Sequence, residues 1–372
     1  ENTTGINNTA SGYKALYTNT TGNNNTASGV YALYNNTTGS QNTALGKLAL
    51  AFNTEGSLNT AVGNRALYFN TSGNYNAAFG LQALYNNTTG ERNAAFGLQA
   101  LYFNTSGSYN TAIGNRALYS NTLGNENTAF GVQTLYSNTS GDRNTALGYA
   151  ALNSNTEGDF NVAIGSQALY LNTTGERNAA FGLQALYSNT SGSYNTAIGN
   201  RALYLNTTGE RNAAFGLQAL FSNTSGDYNN AIGNRALYSN TTGSKNNAIG
   251  YSAGSNLSSG DSNTFIGASS CTNVTSANHF FCLGTSASSI FAANASTGHM
   301  ILGNGLGQIT IDGDLYVTGN IYNDGAIAVA DSAQKTFDEI DEITGGDDSE
   351  SSVGENSNVS TSNKSTAADD NI

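Results

Sequence analysis

The chain has 372 residues, of which 44 are glycine and none is proline or tryptophan, and its net charge is −12. Its apolar fraction of 38% is lower than in most globular chains, and it has no Leu/Val/Ile runs that would form a buried parallel sheet. This composition argues against a compact α/β enzyme, and the lack of any ~18-residue apolar run argues against a transmembrane helix. With two histidines and two cysteines, we expect no catalytic, cofactor or metal site. Because neither a starting Met nor a signal peptide is seen, we expect a processed product or a fragment.

The negative charge is concentrated near one end of the chain. Residues 1–330 carry 14 acidic and 11 basic side chains, whereas residues 331–372 carry 11 acidic and 2 basic ones. A nucleic-acid partner would require a basic face, and electrostatic attachment to a membrane would require a basic cluster. We therefore expect no nucleic-acid partner and no membrane insertion.

Residues 1–284 are dominated by a repeat with a 17-residue period. Glycine recurs at this interval in two series of sixteen, from Gly12 to Gly267 and from Gly5 to Gly260, without insertion or deletion. The unit reads N-(T/A)-A-(I/F/L/V)-G-x-(R/Q)-A-L-Y-x-N-T-(T/S)-G-x-x. Two glycines and several Asn or β-branched residues per unit disfavour a helix. We predict an all-β parallel solenoid of 16 or 17 coils, one coil per unit, about 4.8 Å apart.

Each unit is expected to contain two extended segments, N-T-A-I-G and R-A-L-Y, connected by the turn-forming sequence N-T-T-G. The strict period has a physical reason, because one inserted residue would move every later side chain to the opposite face. Residues 176–209 are nearly repeated at 210–243, so a unit of two coils has been copied.

The Asn of the N-T-(T/S)-G turn recurs along the repeats, as at Asn189, Asn206, Asn223 and Asn240. One interpretation is a ladder of side-chain amides, each of which donates to one neighbour and accepts from the other. The alternative is N-glycosylation, because most of these triplets are acceptor sequons. Glycans about 4.8 Å apart would crowd one another. Asn121 keeps the amide without a sequon, and the ladder is therefore favoured.

Period-2 alternation places Ile/Phe and Leu on one side of the coil and two Ala and the Tyr on the other. A thin coil can enclose only one of these sets, and the sequence leaves open which one. The excluded set would form an apolar stripe larger than monomers usually expose. We therefore expect association with identical chains, most simply about one long axis.

The units NTAIGNRALY and NAAFGLQALY resemble the β-roll repeats in the heads of bacterial trimeric autotransporter adhesins. They are still more similar to the related repeats of phage and viral tail fibres. The common adhesin repeat is shorter than the unit found here, so that similarity is partial. The resemblance covers about residues 1–284. It implies a left-handed, homotrimeric β-roll that lies outside the cell or virion and binds a surface.

The remaining segments are expected to differ from the repeat. Residues 285–325 are expected to form a transition or cap with short strands, because terminal solenoid coils commonly differ. Apolar spacing predicts a helix at 326–343, long enough for a short coiled coil, and composition predicts a disordered acidic tail at 344–372. Cys271 and Cys282 are either a disulfide in an oxidising compartment or two buried thiols.

Variable residues at the coil edge are the best candidates for ligand binding, because aromatic residues and Arg are favoured in recognition patches and aromatic faces suit sugars. The candidates are Tyr75, Tyr109, Tyr194, Tyr228, Arg92, Arg143, Arg177 and Arg211. The alternative is that they only decorate solvated turns, in Glu-Arg and Asp-Arg pairs of little energetic weight. We favour this alternative.

These patterns predict an extracellular fibrous adhesin or a protein like a tail fibre, on a cell or virion surface. Its rigid rod would be a homotrimer that attaches to a cell-surface glycan or protein receptor. The first alternative is a structural subunit of an extracellular filament. The second is an ice-binding solenoid, ranked last because Thr columns such as Thr173, Thr190, Thr207 and Thr224 sit in turns beside Gly.

Overall fold

A computed structural model describes residues 2–285, 288–294 and 299–302. The predicted helix at 326–343 and the predicted acidic tail at 344–372 lie outside the described residues. The same is true of most of the predicted cap at 285–325.

Seventeen parallel strands form one sheet, and each strand pairs in register with the strand of the next repeat unit. Strands β1 to β16 have three residues each. Their bounds are β1 Thr9–Ser11, β2 Thr26–Ser28, β3 Thr43–Leu45, β4 Thr60–Val62, β5 Ala77–Phe79, β6 Ala94–Phe96, β7 Thr111–Ile113, β8 Thr128–Phe130, β9 Thr145–Leu147, β10 Val162–Ile164, β11 Ala179–Phe181, β12 Thr196–Ile198, β13 Ala213–Phe215, β14 Asn230–Ile232, β15 Asn247–Ile249, β16 Thr264–Ile266 and β17 Phe280–Thr285. The prediction of a β-solenoid with one coil per repeat unit is confirmed. At about 4.8 Å per coil, the 17 strands extend over about 77 Å.

After β17 the strand pairing changes from parallel to antiparallel. Strand β18 (Ser288–Asn294) pairs antiparallel with β17, and β19 (His299–Leu302) pairs antiparallel with β18. Both strands fall in the segment where a cap with short strands was expected.

The R-A-L-Y segment forms no strand, contrary to the expectation from sequence. Its first and third residues have a left-handed backbone, as in Gln99 (φ 56°) and Leu101 (φ 52°). Bulky side chains disfavour this conformation. Hydrogen bonds between coils compensate, because the Gln99 N–H donates to Leu81 O in the preceding coil (3.0 Å) and the Leu101 N–H donates to Ala117 O in the next (3.0 Å). A coil with only one short strand needs such turns to close on itself.

The interior contains two Ala and the Leu of most coils, as in Ala112, Ala117 and Leu118, all fully buried. Ile113 and Tyr119 lie at the surface and are half-buried. The expectation that Leu shares a side with Ile or Phe was wrong, because alternation applies only to extended backbone and Leu118 lies in a turn with φ 51°. The alternation within the strand itself, with Ala inward and Ile outward, is as expected.

Two columns of buried Asn hold successive coils together. In the first, the Asn206 amide donates to Asn189 Oδ1 (2.8 Å) and to Gly209 O (2.9 Å), and Asn223 donates to Asn206 Oδ1 (2.7 Å). The column ends at Asn240, whose Oδ1 is buried without a partner, because Leu257 stands at the next position. Each Asn–Asn hydrogen bond stabilises one contact between coils, and each bond to the Gly carbonyl stabilises the turn of its own coil.

The second column uses the Asn that begins each unit, and its role was not anticipated from the sequence. The Asn127 N–H donates to Asn110 Oδ1 (3.0 Å), and the Asn110 amide donates to Gly124 O (2.8 Å). These side chains therefore satisfy backbone groups that the short strands leave unpaired.

Candidate recognition surfaces

The last residue of each strand from β3 to β16, together with Leu283 of β17, is an outward apolar side chain, and these residues form the strand face. They are Leu45, Val62, Phe79, Phe96, Ile113, Phe130, Leu147, Ile164, Phe181, Ile198, Phe215, Ile232, Ile249, Ile266 and Leu283. All are half-buried or exposed, and Phe130 and Ile249 are 51% and 48% exposed. The column holds no charged residue, so it presents a continuous uncharged apolar surface along the stack.

The eight predicted binding residues lie in one column at 17-residue intervals, which also contains Glu126 and Phe160. We call it the Arg–aromatic column. The Arg177 guanidinium lies 5.2 Å from the Phe160 ring centroid and 5.4 Å from that of Tyr194. Arg211 lies 5.4 Å from Tyr194 and 5.2 Å from Tyr228. Because the two-coil unit alternates these residues, Arg177 and Arg211 each lie between two rings and form cation–π contacts with both.

In the other half of the column Arg92 has the same arrangement, whereas Arg143 has a ring on one side only, because Glu126 lies on the other. Arg92 lies 5.2 Å from the ring centroids of both Tyr75 and Tyr109, and its guanidinium also donates to the Tyr109 hydroxyl. Arg143 lies 5.2 Å from Phe160. The structure thus brings all eight predicted residues together in one column.

Acidic neighbours compensate the positive charge of the column. The Arg143 guanidinium is 2.9 Å from the Glu126 carboxylate, and this hydrogen bond together with the charge of Arg143 holds the pKa of Glu126 below its ordinary value. Arg177 lies 3.4 Å from Glu176, and Arg211 lies 3.8 Å from Glu210. All three pairs are solvent-exposed, where such pairs contribute little to stability.

Two rings of the Arg–aromatic column, Phe160 and Tyr194, offer little to a sugar because each lies between two Arg side chains. Stacking on a pyranose requires an open ring face, but both faces of Tyr194 are covered by Arg177 and Arg211. The arrangement is compatible with the turn-decoration interpretation, because the side chains satisfy one another.

The Tyr of the A-L-Y sequence forms a second aromatic column. Rings of successive coils stack nearly parallel, as for Tyr85 and Tyr102 (5.0 Å, 2°) and for Tyr102 and Tyr119 (5.3 Å, 13°). Burial, with a smaller contribution from Tyr85 and Tyr119, raises the pKa of Tyr102. The pKa of Tyr187 in the C-terminal part of the column is raised for the same reasons.

Phe69 and Phe103 follow this Tyr in their coils, and Phe52 follows Ala51, which stands at the Tyr position. All three were missed in the sequence analysis. With Thr of the turn and Asn86, they line a groove of about 520 Å³. The signal that could have found them is their common position in the repeat, which most other coils fill with Ser, Leu or Asn.

Cys271 and Cys282 form a disulfide, with their Cα atoms 6.4 Å apart. Cys282 lies in β17 in register with Phe265 of β16, and both cysteines are buried in the solenoid interior. The bond therefore crosses the interior at the last coils of the repeat.

The Thr columns in the turns are engaged in backbone hydrogen bonds. The Thr173 hydroxyl donates to Thr190 O (3.0 Å), and those of Thr190 and Thr207 donate in the same way to the next coil (3.1 and 3.0 Å). Thr224 donates to Thr241 O (3.0 Å). The ice-binding alternative would require these hydroxyls to order a layer of water, but their hydrogens are already donated to backbone carbonyls.

Comparison with family models, curated proteins and solved structures finds no match for this chain. In the part of the chain that the structure describes, no helix is long and apolar enough to cross a membrane. The same residues contain no group of three or more His, Cys, Asp or Glu that could hold a metal ion.

Proposed function

We propose that the protein is an extracellular fibrous attachment protein, an adhesin or tail-fibre-like rod that self-associates through its strand face. The observation that carries this proposal is the apolar, half-buried or exposed residue on every strand from Leu45 to Leu283. A surface of this length exceeds the few hundred Å² of apolar area that a monomer usually exposes. Identical chains would cover it along the whole stack, and a trimer is the arrangement implied by the resemblance to adhesin and tail-fibre repeats.

Rigidity supports an attachment role. Each coil is joined to the next by parallel strand pairing, by two buried Asn columns and by turn hydrogen bonds. A stack in which every coil repeats the same bonds resists bending and places its far end at a defined distance from its base. The structure therefore suits the presentation of a binding surface away from a cell or virion.

The mass of the native assembly in solution tests the self-association. We expect a multiple of the 38.4 kDa chain mass. The double variant Ile198→Asp/Phe215→Asp places two charges in the strand face and should yield monomers, because burying unpaired carboxylates is unfavourable. Thr208→Asp, in an exposed turn, is the matched control and should keep the wild-type mass. A native monomer would overturn this part of the proposal.

Binding to surfaces tests the attachment role separately. Fluorescently labelled rods are incubated with panels of bacterial and animal cells, and bound label is measured against rod concentration. Saturable binding that unlabelled rods compete away is expected. Linear, non-competed uptake on every cell type would contradict an adhesive function. Long end-to-end fibres without any binding would support a structural filament instead.

A further inference from the structure

The groove lined by Phe52, Phe69, Asn86 and Phe103 has properties of a ligand site. Its volume of about 520 Å³ lies within the range of small-molecule sites, roughly 300–1,000 Å³. None of its lining residues is charged. The groove therefore suits an uncharged ligand.

Two Phe rings of the groove, Phe69 and Phe103, are packed against Tyr rings and remain partly exposed toward the groove. Phe103 meets Tyr102 at 4.7 Å and 82° and Tyr119 at 5.2 Å and 86°. The Tyr rings are stacked face to face on one another, so they meet Phe103 with their edges. This contact covers one face of Phe103 and fixes the ring. The opposite face borders the groove, where Phe103 is 41% exposed.

Phe69 is held in the same way, against Tyr68 at 4.6 Å and 76° and against Tyr85 at 5.3 Å and 85°. Phe69 and Phe103 are two coils apart, about 9.6 Å along the stack. This separation is close to the length of two pyranose rings in an extended chain. The two open faces are therefore spaced to meet alternate rings of one oligosaccharide.

Asn86 occupies the same position of the repeat in the coil between Phe69 and Phe103. It is half-buried, and its side-chain amide makes no hydrogen bond to any residue that the structure describes, whereas the ladder amide of Asn87 beside it makes two. An unpaired amide, which both donates and accepts, matches the hydroxyls of a sugar.

We propose that this groove binds a neutral, β-linked oligosaccharide that runs along the stack. Phe69 and Phe103 stack on its apolar ring faces, and Asn86 exchanges hydrogen bonds with hydroxyls of the ring between them. The proposal rests on the attachment function proposed above, because it assigns that function a receptor class and a site.

Calorimetric titration of the full chain with cellohexaose, chitohexaose and maltohexaose tests the proposal. We expect binding of at least one of the two β-linked probes and none of the α-linked maltohexaose. Phe69→Ser/Phe103→Ser should weaken binding by about tenfold or more, since both stacking rings are lost. The substitution should fold, because Ser120 and Ser137 occupy this position in other coils. Leu171→Ser/Leu205→Ser, in the same column outside the groove, should bind like the wild type.

Absence of binding to both β-linked probes, or equal binding by wild type and Phe69→Ser/Phe103→Ser, overturns the groove proposal. A change in native mass in that variant also overturns it, because the groove would then be an interface with a second copy. Rods that attach to cells without binding these probes would leave the attachment function intact and place its receptor site elsewhere. Absence of both cell attachment and probe binding would overturn the attachment function and the groove proposal together.

Discussion

The Phe265 ring fills interior space that the missing side chain at Gly254 leaves open. Phe265 lies in register with Ala248 of the preceding strand and is fully buried, in the position where other coils have Ala. Gly254 stands one repeat unit after Leu237, where other coils have Leu. A Cβ on Gly254 would lie 2.6 Å from Cδ2 of Phe265. The ring fills the space that the Leu side chain occupies in neighbouring coils.

This compensation in volume predicts that substitutions at Gly254 and Phe265 have strongly non-additive effects on stability. Phe265→Ala should destabilise the C-terminal coils by about 3–5 kcal/mol through a cavity, and Gly254→Leu should destabilise them by about 1–3 kcal/mol or more through overpacking. The double variant restores the interior of the other coils and should recover most of the loss. Hydrogen exchange of amides in β15 to β17 measures this local stability. Additive losses of stability in the double variant would contradict the compensation between Gly254 and Phe265.

The first Asn column predicts a large effect of losing one amide. The Asn121 amide donates to Asn104 Oδ1 (2.8 Å) and Gly124 O (2.9 Å). Asn121→Asp keeps the shape but removes both donors. Gly124 O keeps its hydrogen bond from the Asn110 amide, whereas the buried Asn104 Oδ1 is left unpaired, which should cost about 1–3 kcal/mol. Asn121 has no sequon, so glycosylation cannot affect the result. Urea unfolding measures the loss, and the half-buried neighbour variant Ser120→Ala should change little. Equal effects of the two variants would argue against a structural ladder.

The Arg143–Glu126 pair predicts an acid-dependent contribution. The pKa of Glu126 is lowered in the folded chain by Arg143, so its stabilising effect is fully present above the ordinary Glu pKa of roughly 4.3. The effect is lost as pH falls through the lowered value. Carboxylate ¹³C NMR titration should show Glu126 titrating below its ordinary value, and Arg143→Gln should return it. Arg211→Gln, on a distant coil, serves as the control. An unchanged titration in Arg143→Gln would refute the assignment.

The Tyr stack predicts an alkaline limit to stability. Burial and the neighbouring Tyr rings raise the pKa of Tyr102. A raised pKa in the folded state means that the contribution is fully present below the unfolded Tyr pKa of about 10 and is lost as pH rises through the folded value. NMR of ¹³Cζ-labelled Tyr should show late ionisation of Tyr102. Tyr85→Phe should move it toward the ordinary value, whereas the distant Tyr238→Phe should not.

The Cys271–Cys282 disulfide predicts a local effect of reduction. It closes a loop with a sequence separation of 11 residues, for which the chain-entropy model gives roughly 2–3 kcal/mol. Because coils contact only their neighbours, reduction should raise hydrogen exchange in β16 and β17 and leave β1 to β8 unchanged. Cys271→Leu/Cys282→Ala restores the Leu and Ala of other coils and should not respond to reductant. Faster exchange along the whole stack would contradict a local role.

Sequence reasoning found the period, the number of coils and the turn Asn column, because each depends only on equal spacing. The contacts of Arg92 with Tyr75 and Tyr109 could also have been predicted from the sequence. These three residues are one repeat unit apart and must be neighbours in the stack. The open faces of Phe69 and Phe103 were not, because they depend on ring orientation against the Tyr stack.

The sequence by itself determined that like residues stand above one another, because an unbroken 17-residue interval allows only one register. Only the tertiary structure decided which residues face inward. That choice depends on the backbone of the A-L-Y segment, and the left-handed φ of residues such as Leu118 is set by hydrogen bonds to the coils above and below. Inward Leu and Ala leave Ile and Phe outside, and this arrangement gives the chain its apolar strand face.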